Sequence, residues 1–158
     1  MADLTLIDES STSRVSVRAA NGTPAAFALG LTFGAAEHRN NAVVARIRLD
    51  EWFVVGDTTI VDALDLAGFA SRVDITHSRL QFRLTGTAAP KVLEKVCSLD
   101  FGDHMTPNGG CIGASVAKVS CDLIRDDTDG VRSYLILADT SFRDYLRDAL
   151  DDAMAEFT

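Results

Sequence analysis

The sequence predicts an α+β fold with helices packed on a mixed or antiparallel sheet, in ferredoxin-like split βαβ layers. From residue 52 onward the predicted elements follow the order strand, helix, strand, helix, strand, strand, helix. The two consecutive strands are joined at residues 126–130, DDTDG, which is a hairpin-loop signal. The runner-up is a parallel doubly wound fold, which this hairpin and the lack of a GxGxxG turn both disfavour.

The first thirteen residues differ in character from the rest of the chain. Residues 1–13 are polar and acidic, with four hydroxyl side chains in a row at 10–13. A segment with so few apolar groups buries little surface, so we predict a flexible N-terminal lead-in. The folded part is expected to span residues 14–158, as one domain or as two small lobes at about 14–84 and 85–158.

Three strands and one ambiguous segment follow the lead-in. Residues 14–19 alternate polar and apolar side chains and lead to an Asn-Gly turn signal at 21–22. Residues 25–33 are small and apolar, and both a short helix ending at a glycine cap and a buried irregular segment fit them. Alternation returns at 43–49, and the continuous apolar run at 52–55 indicates a strand buried on both faces.

The middle of the chain carries the clearest strand signal. Residues 60–67 repeat at helical spacing up to a glycine, so a helix is predicted there. Residues 80–84 alternate three apolar side chains with Gln and Arg, as expected of a half-buried strand. Gly86 then breaks the strand, and Pro90 lies in the first turn of a helix whose apolar face extends to Cys97.

The last third of the chain predicts a loop, two strands and a helix. Residues 102–110 are turn formers without the GxxxxGK[ST] phosphate-binding pattern, so an ordinary connection is expected. Alternation at 117–123 and the apolar stretch at 132–138 predict the hairpin strands. Residues 142–157 place apolar side chains at i, i+3, i+4 and i+7, which predicts an amphipathic helix with a charged, solvated outer face.

Composition and charge narrow the classes of partner. With 47% hydrophobic residues the chain can form an ordinary core, and its apolar runs are far shorter than the roughly 20 residues of a membrane span. The acidic N-terminus does not resemble a secretory or transit signal, so a cytoplasmic location is expected. A formal net charge of −8 opposes nucleic-acid binding. Small molecules or proteins are the expected partners, with neither nucleic acid nor membrane.

The cysteines and histidines do not form a recognisable metal-binding pattern. Three cysteines without a CxxC pair fit reduced thiols better than a disulfide framework. The histidines are scattered and lack the spacing of a zinc site, so no metal ligands are predicted. The residues concerned are Cys97, Cys111, Cys121, His38, His77 and His104.

Several short motifs, in a shared order over about residues 15–157, resemble one family. The resemblance is to the gamma subunit of heterotetrameric sarcosine oxidase, with relatives in N-methylglutamate dehydrogenase. The motifs are LDEWFVV (49–55), similar to LGPDEWLL; VDITHSR (73–79), similar to VDVSHR; LTGTAA (84–89), similar to LSGPRA; CSLDF (97–101), similar to C-x-LD-[LF]; VAK (116–118), similar to LLAK; and TSFRDYL (140–146), similar to RSFADYLW.

This resemblance implies a noncatalytic gamma-like domain over residues 14–158, folded like the folate-binding domain of aminomethyltransferases. In such complexes a secondary amine is oxidatively demethylated and its one-carbon unit passes to tetrahydrofolate. FAD, FMN, NAD and tetrahydrofolate are expected in the partner subunits, and no cofactor in this chain. The implied partners are the alpha subunit, as the main contact, and the beta and delta subunits.

Two other functions fit the sequence. A stand-alone folate-binding one-carbon transferase or repair protein shares the same superfamily resemblance, although the chain lacks the further barrel domain of aminomethyltransferases. A homodimer of the isolated chain would need an exposed apolar surface around Trp52 or the final helix to pair with itself.

The candidate catalytic residues all have a simpler structural interpretation. Asp74 is expected to make a hydrogen bond at a turn or strand end, and Asp100 to hold a turn. His77 and His104 are candidates for a base only if a cleft shifts their pKa. Cys97 would need a neighbouring base to act as a nucleophile. We therefore predict no catalytic residues, no metal ligands, and no identifiable cofactor-binding residues.

Overall fold

Two five-stranded antiparallel sheets make up this computed structural model, which describes residues 3–158. The chain divides into a central unit, residues 11–77, and a terminal unit, residues 3–10 with 78–158. In chain order the elements are β1 (Thr5–Asp8), β2 (Arg14–Ala19), α1 (Pro24–Leu29), β3 (Ala36–Arg39), β4 (Ala42–Arg48), β5 (Glu51–Gly56), α2 (Thr59–Asp62), β6 (Ala70–Asp74), β7 (Arg79–Thr85), α3 (Ala89–Val96), β8 (Cys111–Val116), β9 (Val119–Arg125), β10 (Ser133–Asp139) and α4 (Arg143–Met154).

The central unit has the strand order β3-β4-β5-β2-β6, and every neighbouring pair is antiparallel. Its core joins Ala25 and Leu29 of α1 to Val17, Trp52 and Val54 of the sheet. Of the segment at 25–33, which the sequence left open, residues 25–29 are therefore helical, and the helix ends at the glycine cap Gly30. The apolar run at 52–55 lies in β5 and is buried throughout, as predicted for a strand covered on both faces.

The helix predicted at 60–67 is wrong in length, because α2 is a single turn. The carboxylate of Asp65 accepts a hydrogen bond of 2.9 Å from the backbone N–H of Ala67. Such a local side-chain bond offers the backbone an alternative to helical pairing. Leu64 is one of the apolar residues whose spacing predicted a longer helix. It lies outside α2 but still packs against the core of the central unit.

The terminal unit contains the predicted split βαβ arrangement. Its strand order is β1-β7-β10-β9-β8, with antiparallel neighbours. Because β7 and β9 are each antiparallel to β10, they run parallel to one another with β10 between them, and α3 lies in the connection. Helices α3 and α4 pack together over the apolar core of this sheet. The predicted α+β class, with helices on an antiparallel sheet, is confirmed.

The two units share one topology. Elements β2-α1-β3-β4-β5-α2 of the central unit correspond in order to β7-α3-β8-β9-β10-α4 of the terminal unit. In each sheet one further strand lies beside the first strand of the set. That position is filled by β6, after α2, in the central unit. In the terminal unit it is filled by β1, from the opposite end of the sequence.

The predicted N-terminal lead-in is wrong for residues 5–8, while residues 1–2 lie outside the described part. Strand β1 pairs with β7 from Thr5 opposite Thr85 to Asp8 opposite Phe82. Gly86 makes room for this strand, because a Cβ there would lie 2.9 Å from the Cα of Leu4. The expected lobe boundary at 84/85 also differs from the structure, in which the chain re-enters the terminal unit at residue 78.

A second strand missed by the sequence analysis is β8. Its residues include Gly113 and Ala114, whose small side chains do not produce an alternating signal. The β8–β9 turn places Ala117 and Lys118 at φ +49° and +69°, the left-handed conformations that match the twist of a two-residue hairpin. Across residues 3–158, none of the helices has both the length and the apolar character needed to span a membrane.

Candidate functional site

The two acid–base candidates of the central unit lie at one exposed turn. Asp74 ends β6, and its carboxylate accepts a 2.9 Å hydrogen bond from the backbone N–H of Thr76. Hydrogen bonds from Thr76 hold the pKa of Asp74 below its ordinary value, which makes the carboxylate a weaker base. His77 is exposed in the same turn. The structure thus gives Asp74 the turn-stabilising role that the sequence predicted.

Asp100 and His104 lie together on an exposed loop of the terminal unit. Asp100 accepts a 2.8 Å hydrogen bond from the backbone N–H of Gly102, and its other carboxylate oxygen lies 3.4 Å from Nε2 of His104. Both side chains are more than half exposed. This pair closes a turn in contact with water, whereas acid–base catalysis calls for a cleft that shifts the pKa of its members.

The three cysteines are buried thiols of the terminal unit. Burial raises the pKa of Cys111 and of Cys121 to about 12, so both remain protonated at neutral pH. Cys97 is buried where α3 ends. Over residues 3–158, no group of three or more His, Cys, Asp and Glu side chains is arranged to hold a metal ion.

A network of arginines and carboxylates fastens the predicted loop at 102–110 to the terminal sheet. The carboxylate of Asp103 accepts hydrogen bonds from Arg125 at 2.7 Å and from Arg132 at 2.6 Å. Arg125 also donates to the backbone carbonyl of Thr106 at 2.8 Å. Because these charges satisfy one another, the network acts as a structural clamp on the loop.

The central unit carries two open depressions beside exposed phenylalanines. The first has a volume of about 600 Å³ and is lined by Phe27, Gly30, Arg46 and the turn at 21–24. Helix α1 buries Ala25 and Leu29 and points Phe27 in the other direction, which leaves this side chain 90% exposed. A phenylalanine that contributes nothing to the core of its own unit is a candidate for contact with another molecule.

Trp52 and Arg46 hold an unusual backbone turn at the edge of this depression. Trp52 Nε1 donates to the carbonyl of Gly30 at 2.8 Å, and Arg46 donates to the carbonyl of Leu31 at 2.8 Å. The Arg46 guanidinium lies 4.8 Å from the centroid of the Trp52 ring. Gly30 and Leu31 have φ of +60° and +68°, which is uncommon for leucine and requires such support.

Trp52 is itself fully buried, so it cannot contact a second copy directly, and the exposed apolar group on the neighbouring depression is Phe27. The final helix does expose apolar groups, at Phe142 just before it and at Tyr145 within it. The Tyr145 hydroxyl donates to the backbone carbonyl of Ala117 at 2.8 Å, so this ring also braces the β8–β9 turn.

The second depression has a volume of about 390 Å³ and is lined by Arg18, Asp50, Phe69 and Ser71, among others. Phe69 is 88% exposed although its backbone carbonyl is fixed by a 2.9 Å hydrogen bond from the N–H of Ala20. A projecting aromatic ring on a fixed backbone, beside an arginine, is typical of a protein-binding surface.

Sequence reasoning missed both phenylalanines, for different reasons. Phe27 could have been found once the helix at 24–29 was assumed, because Ala25 and Leu29 then form the buried i, i+4 face and Phe27 lies half a turn away. Phe69 has no such signal, since it lies in a turn whose exposure depends on how β6 pairs with β2.

Comparisons with known proteins show which chains share the fold. No protein-family profile and no curated protein sequence matches this chain. A chain of heterotetrameric sarcosine oxidase from Corynebacterium sp. U-96, solved in complex with pyrrole 2-carboxylate, matches with a TM-score of 0.84 and 24% identity, over 98% of this chain and 85% of that one. Glycine cleavage system aminomethyltransferase T from Bartonella henselae matches with a TM-score of 0.68 and 16% identity, over 93% of this chain.

These matches confirm the predicted fold at the level of architecture. The chain spans 45% of the length of the aminomethyltransferase, against 85% of the sarcosine oxidase chain. At these identities the shared feature is the fold, because one fold can host unrelated activities.

Proposed function

We propose that this chain is a noncatalytic, gamma-type subunit of a heterotetrameric sarcosine oxidase-like complex. The observation that carries the proposal is the match over 98% of the chain to a single chain of such a heterotetramer, at a TM-score of 0.84. The ordered motifs between residues 49 and 146 support it independently, since they belong to the same family by resemblance.

In the proposed complex the chemistry belongs to the other subunits. The alpha and beta subunits would bind FAD, FMN, NAD and tetrahydrofolate, oxidatively demethylate a secondary amine and transfer its one-carbon unit to tetrahydrofolate. This chain would pack mainly on the alpha subunit, in an assembly that also contains beta and delta subunits, in the cytoplasm.

The state of the candidate catalytic groups supports a noncatalytic role. Asp74 and Asp100 each accept a backbone hydrogen bond that closes an exposed turn, and His104 lies beside Asp100 at the surface. The exposed features of the central unit, Phe27 and Phe69 with their depressions, suit contact with protein better than the enclosure of a small substrate.

Physical association tests the proposal. The chain is co-expressed with the alpha, beta and delta subunits from the same genome, purified through a tag on alpha and separated by size exclusion. We expect all four chains to co-elute in equimolar amounts. An active complex of the other three, with this chain eluting alone, would contradict the proposal.

A second candidate function is a stand-alone folate-binding one-carbon transferase or repair protein. The match to an aminomethyltransferase over 93% of the chain favours it, although that protein is more than twice as long. Calorimetric titration of the isolated, folded chain with tetrahydrofolate tests this alternative. Heat of binding at micromolar ligand would support it, and a flat titration up to high micromolar concentrations would remove it.

A further inference from the structure

Four residues lie side by side across one end of the central sheet. Ser71 of β6 is opposite Arg18 of β2, which is opposite Glu51 of β5, which in turn is opposite Arg48 of β4. Directly opposed residues share a face of the sheet, so this row places one arginine on each side of a single carboxylate.

Within the row, the carboxylate is shared unequally between the two arginines. Glu51 is buried and accepts hydrogen bonds of 2.6 Å from the hydroxyl of Ser16 and 2.8 Å from Arg48. The Arg18 guanidinium stays 3.6 Å away, and its side chain is 67% exposed. Arg18 therefore retains donors that are suited to a carboxylate supplied from outside, which it can bind in bidentate fashion.

Apolar groups flank Arg18 on the same surface. Val73 follows Ser71 by two positions in β6, so it shares that face, and it is 59% exposed. Phe69 lines the 390 Å³ depression together with Arg18, Ser71 and Asp50. We call Arg18, Asp50, Phe69, Ser71 and Val73 the Phe69 surface.

The charge of the central unit favours burial of this surface against protein. Residues 11–77 contain six arginines, no lysine and seven acidic residues, whereas the rest of the chain has nine basic and sixteen acidic residues. Arginine and aromatic residues are enriched, and lysine is depleted, in the cores of protein interfaces. A partner carrying carboxylates would meet little repulsion at the central unit and strong repulsion at the terminal unit.

From these observations we propose that the Phe69 surface is the docking site of a protein subunit of different sequence. That subunit presents an apolar pocket to Phe69 and a carboxylate to Arg18. The inference rests on the proposed function, which supplies the subunits, and it specifies which part of this chain they contact.

A competition experiment tests the docking site. Wild-type chain and a variant, carrying different tags, are co-expressed with the alpha, beta and delta subunits, and their ratio in the purified complex is measured. We expect Phe69→Ser and Arg18→Glu each to be incorporated about tenfold less than wild type, as for truncation of an interface hot spot. Arg18→Lys keeps the charge and is expected to recover part of the incorporation.

Matched controls lie on the terminal unit. Met105→Ser removes another exposed apolar side chain, and Lys91→Glu reverses another exposed charge. Both are expected to be incorporated as well as wild type. Thermal unfolding of each isolated variant checks that Phe69→Ser and Arg18→Glu still fold.

The outcomes separate the two proposals. Equal incorporation of Phe69→Ser, Arg18→Glu and the controls overturns the docking site alone. Absence of the wild-type chain from the complex overturns the proposed function, and the docking site with it. If the isolated chain forms a dimer that Phe69→Ser dissociates, the occupant is a second copy of this chain and the inference is wrong.

Discussion

Replacing Arg46 with methionine should destabilise the central unit by about 2 kcal/mol. The substitution keeps most of the side chain's apolar length but removes the guanidinium that donates to the carbonyls of Leu31 and Leu49 at 2.8 and 3.1 Å. It also removes the contact of that guanidinium with the Trp52 ring at 4.8 Å. Charge-assisted bonds at a half-buried site contribute about 1 kcal/mol each, less where exposed, and the ring contact contributes about 0.5–1 kcal/mol.

The chain offers a convenient probe for this measurement. Trp52 is the only tryptophan, it is buried in the central unit, and its fluorescence reports on that unit alone. With an m-value of about 2 kcal/mol/M, the expected loss lowers the urea midpoint by about 1 M. Far-UV circular dichroism recorded on the same samples follows both units together.

Arg72→Met is the matched control. Arg72 pairs with Asp62 at 2.5 Å, but both side chains are exposed, and exposed ion pairs contribute roughly 0–1 kcal/mol. We expect this variant to shift the midpoint far less than Arg46→Met. If the two variants have the same midpoint, the idea that Arg46 holds the turn at Gly30 and Leu31 is refuted.

Three further predictions concern the terminal unit. Hydrogen bonding from Arg125 and the charge of Arg132 lower the pKa of Asp103 below its ordinary value of 3.8. The ionised Asp103 carboxylate therefore stabilises the folded chain above pH 3.8, and this stabilisation is lost as the pH falls through the lowered pKa of the folded state. Asp103→Asn should therefore reduce stability at pH 7 and flatten the fall in melting temperature on acidification; an unchanged slope would contradict this. Because all three thiols are buried, we expect them to react with a thiol reagent at pH 8 only after denaturation, and rapid labelling of the native chain would oppose that view. Deleting the first eight residues removes β1 and exposes the edge of β7, so the truncated chain should melt earlier and aggregate; an unchanged melting curve would show that β1 does not stabilise the sheet.

The elements that the sequence predicted well are those with a strong local period. Helix α4 follows the apolar spacing found at 142–157, and Asp139 caps the short turn before it, accepting a 2.9 Å hydrogen bond from Ser141. The hairpin at 126–130 joins β9 to β10 as the turn residues indicated. In these cases the signal and the structure depend on neighbours within a few positions.

Both missed strands depend on pairing with another segment. Residues 5–8, TLID, form too short a run to show a strand period, and β1 is held by its pairing with β7, far along the chain. Strand β8 likewise forms because its backbone pairs with β9, since its own side chains do not alternate clearly. Local propensity is a weak guide for strands, because the backbone bonds that stabilise them are supplied by other segments.

By itself, the sequence determined the α+β class, the order of most elements and the resemblance to a sarcosine oxidase gamma subunit, since each depends on composition or on short-range patterns. Only the tertiary structure decided which aromatic groups are buried and which are exposed. Trp52, which the sequence placed on a possible contact surface, is enclosed, while Phe27 and Phe69 project into solvent. Exposure is a property of how distant segments pack over one another, so the surface proposed for docking could be recognised only once the sheets were assembled.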